Sequence, residues 1–327
     1  MSSGYTPPYT ITTKAVNLIS QISEGLTRLE FGTPQVVTPM LRKKNRIKTL
    51  AGTLEIEGNY LGEEKITAIL DGKRVLGTHL ELAEVAGAIK AYENIENYKY
   101  DEINDLLEVH QLLMNGILTT AGNFRRVNVG VGSKDGVSHV APPYDRVPEL
   151  MHDLFEWLKN SDEHPLIKSC VFHYEFEFIH PFSDGNGRIG RLWQSVILIN
   201  YNQLFTSLPT ESIVRDHQER YYDVLEKSGE LGESTPFVEF MLEMILEAIN
   251  MVGNRVGNEV GNLTQNQLLI VEQMKKDQKV SAKTLSEHVG ISARKIEENI
   301  AKLKKMEIIE RVGGTRGHWE VKRQYDK

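Results

Sequence analysis

The chain has 327 residues, 40% hydrophobic and 25% charged; that is a globular balance, and the length suits about two domains. Cys170, the one cysteine, excludes an internal disulfide. No apolar run nears the ~18 residues of a bilayer span, and the opening MSSGYTPPYTITT lacks the basic and apolar parts of a signal peptide, so a cytoplasmic protein with no membrane partner is expected.

Residues 1–11 read as a lead-in broken by Pro7-Pro8. Val16, Ile19, Ile22, Leu26 and Leu29 recur at helical spacing behind the caps Thr12 and Thr13, and Gly32 and Pro34 end that helix. A second helix follows Pro39, from about Leu41 to Glu57, with a solvated basic face of Arg42, Lys43, Lys44, Arg46 and Lys48. Leu70–Lys73 is a turn. Thr78 caps a helix over His79–Ile95 with Leu82, Val85, Ala86 and Ile89 on one face, and another helix spans roughly Asp101–Ile117 around an unassigned His110. Val127–Val131 and Val137–Val140 alternate as two strands about a turn at Gly132–Gly136. A helix from Pro148 to Lys159 leads to the apolar helix Leu166–Ile179, in which Cys170 reads as a small buried residue.

Next comes His180-Pro181-Phe182-Ser183-Asp184-Gly185-Asn186-Gly187-Arg188-Ile189-Gly190-Arg191. Pro181 disfavours helix at His180, and Asp184–Gly187 is turn material. A new buried helix opening near Arg188 would aim its free N–H groups and positive dipole end at the turn, an anion site. With a histidine base, a carboxylate for a cation and two arginines beside it, the stretch points to phosphate chemistry. A metal hydrolase built from His173, Glu177, His180 and Asp184 is a rival, but no His-Glu-x-x-His pair exists and Pro181 breaks the helix between them. An EF-hand at Asp184 fails because Arg188 takes a ligand position.

Helices are expected over Arg215–Glu226 and Pro236–Val252. Gly253–Asn262 repeats Gly-Asn every four residues, either a linker or a helix with a close-packing glycine stripe. From Thr264 onward 14 Lys and Arg outnumber 9 Asp and Glu, against 38 and 45 in the whole chain, so an acidic body carries a basic tail. Helices over Gln265–Lys276, Ser281–His288 and Ser292–Lys304, then a hairpin through Trp319, give the order of a winged helix-turn-helix. Its third helix would present Ser292, Arg294, Lys295 and Asn299, with Glu297 and Glu298 opposing phosphate contact. DNA and protein partners both stay open, as does a regulator whose body only senses a nucleotide.

The central stretch resembles the signature of the Fic family, His-Pro-Phe-x-Asp/Glu-Gly-Asn-Gly-Arg-x-x-Arg, with every fixed position matched. The resemblance implies a mainly α fold, a Fic-type helical bundle (79–252) with a β-hairpin flap at about 127–140 and an N-terminal region (1–78) with an inhibitory helix at about 41–57; the Gly-Asn repeat and the order of the tail add a linker (253–263) and a winged helix (264–327). It implies AMP transfer from ATP, with Mg²⁺, to Ser, Thr or Tyr hydroxyls of target proteins and of the chain itself. His180 would be the base and Asp184 the metal ligand; Gly185, Asn186, Gly187, Arg188 and Arg191 would hold the phosphates. The pair Tyr221 and Tyr222 would lie near the adenosine end, or pack as half-buried aromatics. Thr53, Glu57 and Gly58 match the family's inhibitory Ser/Thr-x-x-x-Glu-Gly/Asn, with Glu57 competing for Arg191. Alternatively, Glu57 orients water and the protein also removes AMP. Val137, Ser138, His139 and Val140 would pair with a target segment, or form an isolated surface hairpin. A homodimer is the expected assembly.

Overall fold

Thr12 begins the regular structure, its hydroxyl accepting the Ala15 N–H at 3.0 Å. The computed structural model describes residues 5–32, 39–133, 136–261, 265–305, 308–313 and 317–321, without the side chains of 32, 39–40, 131–139, 254–261 and 265. In order, α1 (Thr13–Gly32), α2 (Pro39–Ile56), α3 (Gly62–Leu70), α4 (His79–Glu93) and α5 (Ile103–Leu113) precede a hairpin of β1 (Gly130–Ser133) and β2 (Gly136–Val140). Then follow α6 (Val147–Asn160), α7 (Pro165–Ile179), α8 (Asn186–Tyr201), α9 (Thr210–Asp216), α10 (Gln218–Leu231) and α11 (Thr235–Gly261). The chain forms two compact units, one ending at Val252 and the other taking up from Gly253. No helix among the described residues is long and apolar enough to cross a membrane.

The packed pair α7 and α8 is the centre of the first unit. Both are apolar nearly all round, and Phe172, Phe176, Ile189, Leu192 and Trp193 are fully buried, as a helix enclosed by others requires. Gly52 sets the place of α2: a Cβ there would come within 2.7 Å of the Ser212 backbone, so α2 and α9 touch main chain to main chain.

Several boundaries differ from the sequence expectation. The buried stripe of α1 is Ala15, Leu18, Ile22, Leu26 and Leu29, leaving Val16 54% exposed. On α4, Ala86 is exposed and the inward face is Val85, Ala88, Ala91 and Tyr92. Gly87 there lets α4 approach the Leu113 carbonyl, which a Cβ would meet at 2.5 Å. In α1 only the first turns shift, Ala15 and Leu18 replacing Val16 and Ile19, and in α4 Ala88 lies inside in place of Ala86. Helix α3 was not anticipated; its short length holds a single buried apolar residue, Ile66, too few for a period to register. Strand β1 starts at Gly130 rather than Val127, because the Val127 carbonyl is taken by Arg125 Nη1 at 2.9 Å. The strands pair Gly130↔Val140, Val131↔His139, Gly132↔Val137 and Ser133↔Gly136, with a bulge after Val131; residues 134–135 of the expected turn lie outside the described residues. The segment expected at 215–226 is two helices that meet at His217, the second running to Leu231 before Gly232 (φ 67°) caps it. The Gly-Asn repeat continues α11 to Gly261: with no proline to break it, the ladder absorbs each glycine at a cost of about 1 kcal/mol.

The second unit has α12 (Gln265–Lys276), α13 (Ala282–Val289) and α14 (Ala293–Lys305), then β3 (Ile309–Val312) antiparallel to β4 (His318–Val321). Ser281 caps α13 through the Thr284 N–H at 3.1 Å. Ile270, Met274, Leu285, Ile296, Leu303 and Trp319 close its own core, and Lys304 and Arg311 lie over the Trp319 ring.

Candidate active site

Helix α7 ends at His180, whose backbone is left-handed (φ 50°, ψ 60°), the one non-glycine with positive φ among the described residues. That conformation is costly without support. Buried Arg125 supplies it: Nε donates to the His180 carbonyl at 2.8 Å, Nη2 to that of Pro142 and Nη1 to that of Val127, and its backbone N–H bonds Pro181 O at 2.9 Å. Sequence reasoning missed Arg125, since nothing local marks a clasp for a turn 55 residues on. Arg125→Ala should lower stability by about 3 kcal/mol, because charged-donor bonds to three carbonyls are lost together; an unmoved thermal midpoint would show the clasp to be idle.

His110, left unassigned above, belongs to the same loop. Its ring stacks on Phe182 at 3.6 Å. The Gly122 N–H donates to Nδ1 at 2.8 Å, which leaves the proton on Nε2 to be donated to the Asp184 carbonyl at 3.0 Å. Burial pushes this imidazole down to about 4, so it stays neutral.

Asn186 closes the loop reciprocally, accepting the Phe182 N–H at 2.8 Å and donating to the Phe182 carbonyl at 2.9 Å. Helix α8 starts at Asn186, two residues before the sequence expectation, behind Gly185 at φ 82°. The first helical bond is Ile189 N–H to Gly185 O, so the N–H groups of Asn186, Gly187 and Arg188 have no helical acceptor. The Gly185 N–H, expected among them, is taken by Asp184 Oδ1 at 2.6 Å.

The two arginines are both paired. Arg188 Nη1 meets Glu84 Oε1 at 2.9 Å and its Nη2 meets Asp184 Oδ1 at 3.3 Å. Glu84 also accepts from Asn59 Nδ2 at 2.8 Å. Arg191, 2% exposed, binds Glu57 Oε1 through Nη2 at 2.7 Å, and Thr53 through its hydroxyl and carbonyl at 3.2 Å each. Burial works to raise the Glu57 carboxyl, but the Arg191 guanidinium and its hydrogen bond hold it below the usual carboxylate range. Gly187 permits this approach: a Cβ there would fall 2.5 Å from Glu57 Oε1. Gly58 (φ 88°) turns the chain out of α2 directly after Glu57. Asp184 is more than half exposed, and its contacts engage Oδ1. A hard cation held by one carboxylate oxygen, water and phosphate oxygens fits that donor.

The tyrosine pair divides. Tyr221 is 1% exposed among Phe237, Phe240 and His173, the packing alternative. Tyr222 is half exposed, and its hydroxyl donates to the Ile56 carbonyl at the end of α2 at 3.4 Å. His173 is spent: Nδ1 donates to Gln194 Oε1 at 2.7 Å and Nε2 accepts from the Tyr221 hydroxyl at 3.1 Å, which takes it out of the rival metal set. In the hairpin, Val140 is 76% exposed; the side chains of Val137, Ser138 and His139 lie outside the described residues. Thr53 and Glu57 thus meet Arg191 on the helix that opens from the His180–Gly185 turn, and Asp184 meets Arg188 on its first turn.

Residues 100–198 match the profile of the Fic/DOC family. A solved Fic family protein from Desulfovibrio desulfuricans G20 is 40% identical with a TM-score of 0.75, covering 99% of this chain and 100% of that one. The protein adenylyltransferase Fic of Aedes aegypti is 30% identical over 214 residues, 62% of this chain and 40% of that protein. Its namesake from Culex quinquefasciatus is 28% identical over 241 residues, 70% and 43%. The chain therefore spans less than half the length of these two relatives. Residues 134–508 of Fic-1 from C. elegans share the fold, with a TM-score of 0.59 at 22% identity, covering 75% of this chain and 72% of theirs.

Proposed function

The chain belongs to the Fic family, and on that premise we propose that it is a protein adenylyltransferase held in check by its own Glu57. It moves AMP from ATP to Ser, Thr or Tyr hydroxyls of target proteins, and to itself. The observation that supports this most is the Glu57–Arg191 pair, 2.7 Å apart, at a helix N-terminus whose free N–H groups suit a triphosphate.

The chemistry follows from the side chains. His180 takes the proton of the incoming hydroxyl on Nε2; its Nδ1 stands 3.4 Å from the Glu177 carbonyl. The hydroxyl oxygen bonds the α-phosphorus as the bond to the pyrophosphate oxygen breaks, in line. The N–H groups of Asn186, Gly187 and Arg188 bear the developing charge. Arg191 suits the γ-phosphate once Glu57 leaves it, and Arg188 the β/γ end, each with a planar fork matched to phosphate oxygens. Tyr222, half exposed beside the end of α2, is the member of the pair we assign to the nucleotide. Asp184 would hold Mg²⁺, which supplies charge neutralisation on the phosphates. The test is transfer of label from the α-phosphate of ATP, with Mg²⁺, into protein. A second reading has the same carboxylate in use: Glu57, kept ionised by Arg191, could orient water for removal of AMP.

The second unit is read as a winged helix for targeting. Arg294 on α14 is largely exposed, but Glu298 pairs with it at 3.3 Å, which lowers its worth to a phosphate. If duplex DNA is the partner, Arg294→Ala with Lys295→Ala should weaken a gel shift and flatten its salt dependence by about two counterions; no shift by the full chain at low salt would leave a protein partner.

A further inference from the structure

The buried acid one turn before His180 takes no part in the chemistry described so far. Glu177 lies in the last turn of α7 with its side chain 12% exposed. Its Oε2 stands 3.9 Å from His180 Nδ1, and its own carbonyl oxygen 3.4 Å from the same nitrogen. Its Oε1 is buried without a hydrogen-bond partner among the described residues, a costly arrangement that packing alone does not call for. Helix α8 leaves room for it: a Cβ at Gly190 would come within 2.7 Å of Oε1. The charged and titratable groups facing the carboxyl are His173 and His180 from its own helix end, Arg191 from α8, Tyr221 and Tyr222 from α10, and Glu57 beyond α2.

We propose that Glu177 is the positioning residue of His180: its carbonyl accepts the Nδ1–H at 3.4 Å and its carboxylate, 3.9 Å away, favours the proton on that nitrogen by charge, so that Nε2 carries the lone pair. This rests on His180 being the base. When Nε2 takes the hydroxyl proton, the Nδ1 proton stays in place and the carboxylate faces the imidazolium; no proton passes to Glu177. Burial pushes the carboxyl up to about 8, against the pull of Arg191. The support is therefore complete in the mildly alkaline range and fades as the pH falls.

Glu177→Gln keeps the shape and removes the charge. In the full-length chain labelled with ¹⁵N-histidine, with His180 assigned by its loss in His180→Ala, the parent above pH 8 should show His180 protonated on Nδ1, and Glu177→Gln a mixture of tautomers. In the Glu57→Gly background, Glu177→Gln should lower kcat roughly 10- to 100-fold with KM for ATP within about twofold, less than the ~10⁴-fold of a directly bonded triad carboxylate because the oxygen stands farther off. Its thermal midpoint at pH 8 should equal or exceed the parent's. A raised folded pKa means stability is lost as pH climbs from the ordinary carboxylate value, and Gln is spared that loss. A purely structural acid would instead lower the midpoint. An unchanged tautomer, or an unchanged kcat, overturns the proposal. If Glu57→Gly transfers no AMP, the base reading fails by itself, and the ¹⁵N spectrum still decides for or against Glu177.

Discussion

His180→Ala, placed in a chain already relieved by Glu57→Gly, should transfer AMP at least ~100-fold more slowly, the low end of what a positioned general base contributes. The loss should fall on kcat, because the phosphate cradle is made by the start of α8 and by Arg191, neither of which hangs on the imidazole. The backbone complicates the variant: position 180 is left-handed at φ 50°, and alanine there adds strain that Arg125 must hold. His180→Asn is the better companion, since asparagine visits that region more readily and cannot act as a base. Both variants should be equally slow, with Asn the more stable. Labelled ATP and a thermal scan separate the two effects; full-rate transfer by His180→Asn would end the assignment of the base.

The turn between two buried helices was legible because its signals are local: Pro181 stops one helix, Gly185 takes φ 82°, and the apolar runs on either side leave no doubt of burial. Thr53, Glu57 and Arg191 were legible only as a pattern; that they meet depends on α2 lying on α9 at Gly52, a contact no local signal encodes. Arg125 and His110 serve the loop from 55 and 74 residues away, and look like an ordinary loop cation and a helical histidine in sequence. Arg188 reads as a phosphate ligand, but nothing local in the sequence shows that Glu84, on another helix 104 residues earlier, shares its guanidinium. At Ala86 the expected face fails because Gly87 lets α5 come closer to α4 than a hydrophobic period implies.

Glu57→Gly should raise AMP transfer on the order of 10- to 100-fold, since displacing a reacting group by about 1 Å costs near 10²-fold and the carboxylate now occupies the guanidinium that would align the γ-phosphate. Glu57→Gln should fall between, keeping a hydrogen bond to Arg191 but not its charge. The restraint itself should not weaken between about pH 6 and pH 8: the Glu57 pKa is depressed by Arg191, so the contact is complete above the ordinary carboxylate value and is lost only as pH falls through the lower, folded value. Stability moves the other way. Arg191 is 2% exposed, and without Glu57 its hydrogen bonds among the described residues are those to Thr53, with Glu211 left to balance its charge, so about 2 kcal/mol should be lost, short of the roughly 3–5 kcal/mol of a fully buried pair because Glu57 is partly solvated. ATP should then return more stability to Glu57→Gly than to the parent, as its phosphate replaces the missing carboxylate on Arg191. A variant that neither speeds transfer nor gains extra protection from ATP would mean that the 2.7 Å contact holds α2 in place and restrains nothing.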